Sequence, residues 1–444
     1  MAKHSLHEVR ELLAGVPKID VHTHLSADRL MARGLDDILL YHMVNSELYS
    51  AGAPEGSRVP EERGEEQAEA RIEQAVPYLP RIRNTALYAT VRLILRDLYG
   101  WEEEITPENW RALHRLIREA NRDDGHRARS VLQTLGIRKA GTELTRRADG
   151  RADDLLQYAL EWAFFARVQW GQPDASLYEL ERAWSATSYQ KPLPVTAHRE
   201  ERPVVKCSIR KPEDIREAVT HYCGLLPYER ILATAQHLST DIDYHRPSYE
   251  EVAAALQRRE LAGDRERDVY ASAILYAFLE ELEGFGDRIV FQFSLGAEAL
   301  PFESAARLRQ RTIGQLAELV AAFPGLRFMC LNASRHGHQA LCTLVRELPN
   351  LSLAGFWWHS FFPGALRQLA EERLDMVPLN RQCDYLTDAY SVDWVYGKNR
   401  LILDAYAHVF AQKLEAGQYR LPDVESIARG IFYQTPVELL GFQA

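Results

Sequence analysis

Two histidines stand one residue apart at the end of an apolar run, Lys18-Ile19-Asp20-Val21-His22-Thr23-His24-Leu25. On an extended strand alternate side chains share a face, so this spacing turns His22 and His24 in one direction. Two imidazoles from one stiff segment can converge on a single ion with little loss of entropy. Imidazole suits zinc and other late transition metals, so a divalent metal, zinc first, is the expected cofactor. Asp20 falls on the same face, where it either orients a ligand or lines the interior. A bare His-X-His also fits two polar strand-end residues bonded to loops, so the reading turns on whether further ligands exist.

The elements that would bring such ligands together alternate along the chain. Apolar runs at 19–23, 137–143, 159–166, 231–237, 289–295, 326–331, 351–357 and 382–387 read as strands, and 204–208 is a ninth candidate. Amphipathic segments at 305–323, 337–348 and 363–373 lie between them. This alternation predicts a parallel sheet with helical crossovers. Eight strands with no glycine-rich phosphate loop predict an α/β fold closed as a (β/α)₈ TIM barrel. Residues 1–444 are read as one metal-binding barrel domain, with 36–130 as a helical insertion after the first strand. Thr106-Pro107 opens one of its helices, which continues over 109–121. The tract 168–225 reads as a mixed insertion, and 51–64 as a loop rich in Gly, Pro and Glu.

In such a barrel the chemistry lies at the C-terminal mouth, where polar residues should follow the other strands. Asp388 follows the last strand, next to the first in a closed barrel, and is the natural third metal ligand and a candidate base. Aspartate is equally at home as a helix N-cap or in a turn. His237 is open to three roles, as fourth ligand, general base or substrate hydrogen-bonder, besides that of a structural histidine. Arg335 is the best-placed cation for an anionic group, although a strand–helix arginine is often a solvated ion-pair partner. His359 stands beside Trp357 and Trp358, which are either core or a wall for a substrate ring. His336 and His338 open the next helix, and His338 is expected at the surface. Ser294 lacks an adjacent base and a G-x-S-x-G elbow, which argues against a serine hydrolase.

Composition sets outer bounds. The chain is 46% hydrophobic and 26% charged, with a formal net charge of −10. No basic stripe or tail points to nucleic acid. An acidic substrate therefore needs a local basic pocket rather than a global positive field. The charged N-terminal segment precedes no long apolar run, so neither a signal peptide nor a membrane anchor is expected. Five scattered cysteines without a CxxC pair fit a reduced, cytoplasmic protein.

Taken together, these segments resemble the amidohydrolase superfamily, and more closely its uronate isomerase branch. The matching stretches are Asp20-Val21-His22-Thr23-His24-Leu25-Ser26, Arg83-Asn84-Thr85-Ala86-Leu87-Tyr88, Cys330-Leu331-Asn332, Gly355-Phe356-Trp357-Trp358, Leu366-Arg367-Gln368 and Leu386-Thr387-Asp388, in the family's order. The resemblance implies a metal-binding (β/α)₈ barrel and interconversion of an aldehyde hexuronate with its keto form. Its substrate-handling positions would include Arg335, His359, Trp358 and Tyr390, with Asp388 and His237 moving protons. A small-molecule sugar acid is the implied partner, and a homo-oligomer the implied assembly. The chain departs from the family pattern at Ser294 (a histidine there), Gln236 (an aspartate), Tyr390 (an arginine) and His42-Met43 (a tyrosine-bearing segment). These departures keep two rivals open: a metal-dependent hydrolase or lyase acting on a small acid, and an inactive sugar-acid binder.

Overall fold

Strands separated by helices pair in parallel, because each crossover returns the chain to the same edge of the sheet. A computed structural model describes residues 6–54, 65–148, 151–161, 173–186, 207–298, 305–306 and 308–442. It contains an eight-stranded sheet whose order follows the sequence: β1 (Lys18–Asp20), β2 (Ile137–Glu143), β3 (Leu156–Glu161), β4 (Ile231–His237), β5 (Val290–Leu295), β6 (Arg327–Asn332), β7 (Leu351–Ala354) and β8 (Gln382–Cys383). Every neighbouring pair is parallel.

The first and last strands meet beyond their ends. Val21 N donates to Tyr385 O at 3.2 Å, His24 N to Ala389 O at 2.8 Å, and Asp388 N to His22 O at 3.0 Å. The α/β fold is thus a (β/α)₈ barrel. Its interior packs Ile19, Val21, Val290, Met329 and Leu386 against Leu439, Leu440 and Phe442 near the C-terminus. Two glycines permit the tight spacing of the mouth. A Cβ on Gly141 would lie 2.7 Å from Val21 O, and one on Gly355, at φ +40°, would collide with Leu386.

Helices Leu35–Leu39, His42–Ser50, Glu65–Ala75, Ala86–Tyr99, Trp110–Ala120 and Asp124–Thr134 lie between β1 and β2. Their buried faces join one core with helix Val392–Glu415. The helix expected to open at Thr106-Pro107 begins at Trp110, because Thr106 N donates to Asn109 Oδ1 and the intervening residues form a turn.

Several strands are shorter than their apolar runs. β7 stops at Ala354 because Gly355 turns left-handed and Trp357–Phe361 winds into a 3₁₀ turn. β3 starts at Leu156 rather than 159, and 162–166 falls outside the described residues. The ninth candidate, 204–208, lies outside them except for Cys207 and Ser208, which are not in a strand. The five cysteines are free, and no helix of the described residues is long and apolar enough to cross a membrane.

The segment after β8 is anchored by a buried ion pair. Arg373 Nη1 lies 2.6 Å from Asp384 Oδ1, with both side chains at most 1% exposed. Tyr406 OH donates to the other carboxylate oxygen, and Asp384 N donates to Ile431 O. Removing one partner strands a buried charge, so Arg373→Met is expected to lose about 3–5 kcal/mol. Urea unfolding should show a lower midpoint at unchanged slope. A midpoint equal to that of the parent would show the pair to be expendable.

Candidate metal centre

β1 ends at Asp20, so His22 and His24 lie just past the strand that was expected to carry them. The segment is nevertheless stiff, because both neighbours hold it. On one side Thr23 N and Oγ1 donate to Gly141 O at 2.6 and 2.8 Å, and on the other Val21 and His24 bond the chain after β8. The two rings stand 5.1 Å apart, nearly perpendicular.

Asp388 lies five residues beyond β8 rather than on it, and its backbone is left-handed at φ +54°. Such a conformation is unfavourable for a non-glycine residue and persists where the surroundings impose it. Here Tyr41 OH donates to Asp388 O at 2.7 Å, and the buried Lys398 ammonium lies 3.5 Å from the same carbonyl. The carboxylate is thereby turned inward. Asp388 Oδ1 sits 3.6 Å from His22 Nε2 and 3.2 Å from His24 Nε2. Donors about 2.0–2.2 Å from a tetrahedral ion are about 3.3–3.6 Å apart, so this spacing fits one divalent metal. Asp388 Oδ1 is buried and faces the Nε2 atoms of both imidazoles, a position suited to a cation.

Both imidazoles are oriented for ligation. Gln292 Nε2 donates to Val21 O at 3.2 Å, which turns its Oε1 toward His22 Nδ1, 3.1 Å away. An amide oxygen only accepts, so His22 carries its proton on Nδ1 and presents the Nε2 lone pair. His24 Nδ1 pairs with Glu143 Oε1, while Glu143 Oε2 accepts from Arg146 Nε at 2.8 Å. Asp20 plays a different part from the ligand-orienting one considered above. It is fully buried and accepts from Thr387 N and Oγ1 at 3.0 and 2.5 Å, joining β1 to the chain after β8.

Burial opposes charge throughout the centre, but the ion partners outweigh it for three groups. His24 is pushed up to about 10 against burial by Glu143 and Asp388. Asp388 is pulled down to about 2, against burial, chiefly by its contact with His24 and the charge of Lys398. Glu143 is held far below the usual carboxylate range, again against burial, mainly by His24. His22 is lowered by burial and by the neighbouring His24.

The remaining expected positions divide. Tyr390 stacks on His24 with ring centroids 4.4 Å apart, and the Arg146 guanidinium lies 5.2 Å from the Tyr390 ring centre. His237 closes β4, with Nδ1 3.0 Å from Ser294 Oγ, and burial lowers it to about 4. Trp357, rather than Trp358, faces this imidazole, at 6.2 Å between centroids; Trp358 is buried beside it. His359 is buried in the 3₁₀ turn and lowered to about 4 by burial and then by Arg335 and Arg373. Arg335 is exposed and bonds Gln368. His338, expected at the surface, is 2% exposed.

Glu143, Gln292, Arg146, Tyr41 and Lys398 were not expected at the site. Glu143 ends an apolar strand in the same way as the residues that were considered. Gln292 interrupts Val290-Phe291-Gln292-Phe293 two residues before Ser294, on the same face. Tyr41 immediately precedes the His42-Met43 segment that seemed to lack its tyrosine.

Two outcomes test the centre. Glu143→Gln is expected to weaken metal binding roughly 10–100-fold in chelator competition, as loss of a ligand's carboxylate partner does. In the metal-free protein His24 holds a proton up to pH about 10, while Asp388 is already ionised. Metal must displace that proton, so affinity should rise about tenfold per pH unit below that value. Affinity independent of pH near neutrality would contradict this protonation scheme.

No protein-family model matches the chain, and no curated protein matches it in sequence. Solved structures do. Uronate isomerase from Thermotoga maritima aligns with a TM-score of 0.73 at 13% identity, over 99% of this chain and 98% of that one. Glucuronate isomerase from Caulobacter crescentus gives 0.74 at 13%, over 99% and 94%. Uronate isomerase from Bacillus halodurans C-125 gives 0.68 at 15%, over 99% and 96%. The chain thus shares the barrel fold of these uronate isomerases along nearly its whole length.

Proposed function

We propose that the chain is a metal-dependent enzyme, with zinc held by His22, His24 and Asp388, that isomerises a hexuronate or related sugar acid between aldose and ketose. The observation that carries the reading is the ligand set itself. Two imidazoles and a carboxylate converge at a barrel mouth, each imidazole backed by Gln292 or Glu143. Three protein ligands leave positions for substrate oxygens. The fold likeness to uronate isomerases supports the choice of reaction.

Such an isomerisation moves a proton between C2 and C1 through an enediolate. The bound metal supplies Lewis-acid stabilisation of the substrate oxygens. His237 is neutral and lies apart from the three ligands, so its Nε2 can accept from a substrate hydroxyl and take up and return that hydroxyl's proton as the carbonyl moves between C1 and C2. Asp388, held ionised, is the candidate base for the C2 proton. Arg146, beside Glu143 and Tyr390, takes over the carboxylate-binding role first considered for Arg335. Tyr390 and Trp357 wall the site and limit water.

Arg146→Met is expected to weaken a sugar acid by about 2–5 kcal/mol and the matching neutral sugar far less. Arg335→Met should leave both unchanged. Equal weakening of acid and neutral sugar by Arg146→Met would remove that residue from the role.

The reaction itself is tested with metal-loaded protein and a panel of hexuronates in deuterated water. Deuterium should enter at C2, ketose should form, and His237→Gln should slow both by about 10²–10⁴. Glucuronate should turn over slowly, since Gln236, Ser294 and Tyr390 stand where the family has an acid, an imidazole and a guanidinium. Absence of exchange with every hexuronate, alongside water-derived oxygen in products of amides or esters, would establish the hydrolytic alternative instead.

A further inference from the structure

The Ser294 hydroxyl lies between a carbonyl oxygen and a ring nitrogen of two neighbouring residues on β4. Ser294 Oγ donates to Gln236 O at 3.2 Å and lies 3.0 Å from His237 Nδ1. A serine hydroxyl has one hydrogen. If that hydrogen serves the Gln236 carbonyl, Oγ must accept from His237 Nδ1–H, and both bonds are made. In the opposite tautomer the hydroxyl turns to Nδ1 and the bond to Gln236 O is lost. The bond count therefore selects the Nδ1–H tautomer.

The consequence lies at the other end of the ring. His237 Nε2 is buried and has no hydrogen-bond partner. It is not among the atoms gathered around the metal position, which among the described residues come from His22, His24 and Asp388. Trp357 flanks the imidazole and has a left-handed backbone, φ +34°, a strained conformation of the kind found at functional sites.

We propose that Ser294 is a positioning residue that fixes His237 as the Nδ1–H tautomer, so that Nε2 accepts a hydrogen bond from a substrate hydroxyl and selects against analogues lacking it. The hydroxyl-selecting part rests on the sugar-acid reading; the tautomer assignment does not. Burial lowers the imidazole to about 4, which keeps it neutral and leaves one lone pair on Nε2 near neutral pH. A site built to accept from a hydroxyl rejects a deoxy ligand, because the buried acceptor is then left unpaired.

The first measurement needs no substrate. Nitrogen-15 NMR of histidine-labelled full-length protein reports which ring nitrogen carries the proton, with His237→Gln identifying the resonance. His237 should appear as the Nδ1–H form. Ser294→Ala should shift it toward the other tautomer or a mixture, and Ser294→Thr should restore it. Unchanged far-ultraviolet dichroism and metal content would show that both variants fold. An Nε2–H imidazole in the parent, or an unchanged resonance in Ser294→Ala, would overturn the assignment. The second measurement titrates a bound hexuronate against its monodeoxy analogues. One analogue should lose binding severalfold in the parent and much less in His237→Gln. Equal losses in both proteins would overturn the hydroxyl contact, and absence of binding by any hexuronate would count against the sugar-acid reading while leaving the tautomer result standing.

Discussion

Asp20 is buried at the seam of the barrel, with its two carboxylate oxygens engaged by Thr387. Burial raises this carboxyl to about 7, although the Thr387 bonds and the Lys398 charge oppose the shift. A carboxylate in such a place would be unfavourable without those partners. What it secures is register: the segment after β8 is fixed beside the segment after β1. The three candidate metal ligands come from these two segments. His22 and His24 come from one and Asp388 from the other, and Asp388 N bonds His22 O directly across the seam. The contacts that close the barrel are therefore the ones that bring the three candidate ligands together.

That arrangement requires local strain, and the supports for it are visible. Asp388 adopts a left-handed backbone that places its carbonyl toward Tyr41 and Lys398 and its carboxylate toward the imidazoles. Lys398 is buried, with its ammonium 3.8 Å from the centre of the Phe361 ring and 3.3 Å from Tyr41 OH. Cation–π contact and a hydrogen bond offset part of its desolvation. The long helix Val392–Glu415 that supplies Lys398 also carries Asp393, which accepts from Ala32 N at 2.7 Å. One buried helix thus braces both the Asp388 turn and the loop that follows the histidines.

Much of this was legible in the residues. Period-two spacing put His22 and His24 on one face, and alternation of apolar runs with helices led to an eight-stranded barrel and hence to Asp388. β2 and β4 coincide with their apolar runs at 137–143 and 231–237. β7 and β8 were overread, because hydrophobicity continues past the last ladder bond when loop residues are also buried: Phe356, Tyr385 and Leu386 are at most 1% exposed. His338 was misplaced for a related reason. Position at a strand–helix junction does not say which way a side chain points, and the packing there turned His338 inward and Arg335 outward. Glu143 and Gln292 required the pairing partner to be known, since neither has meaning as a ligand's support until His22 and His24 are set beside β2 and β5.

The charge balance of the centre bears on the kind of substrate it can hold. Glu143 and Asp388 are ionised and face His24, Arg146 and Lys398. A divalent cation taken up in exchange for the His24 proton would add one positive charge. A pocket loaded in this way would carry a positive excess inside a chain whose formal net charge is −10. Field lines concentrate in a partly desolvated mouth, so the local excess rather than the global charge governs which ligand enters. A neutral sugar would leave that excess uncompensated, whereas the proposed carboxylate-bearing one would cancel part of it at Arg146 while presenting hydroxyls to the metal and to His237. Under the proposed function the electrostatics of the β1, β2 and β8 termini would select an acid, and the polar groups at the ends of β4 and β5 would distinguish one acid from another.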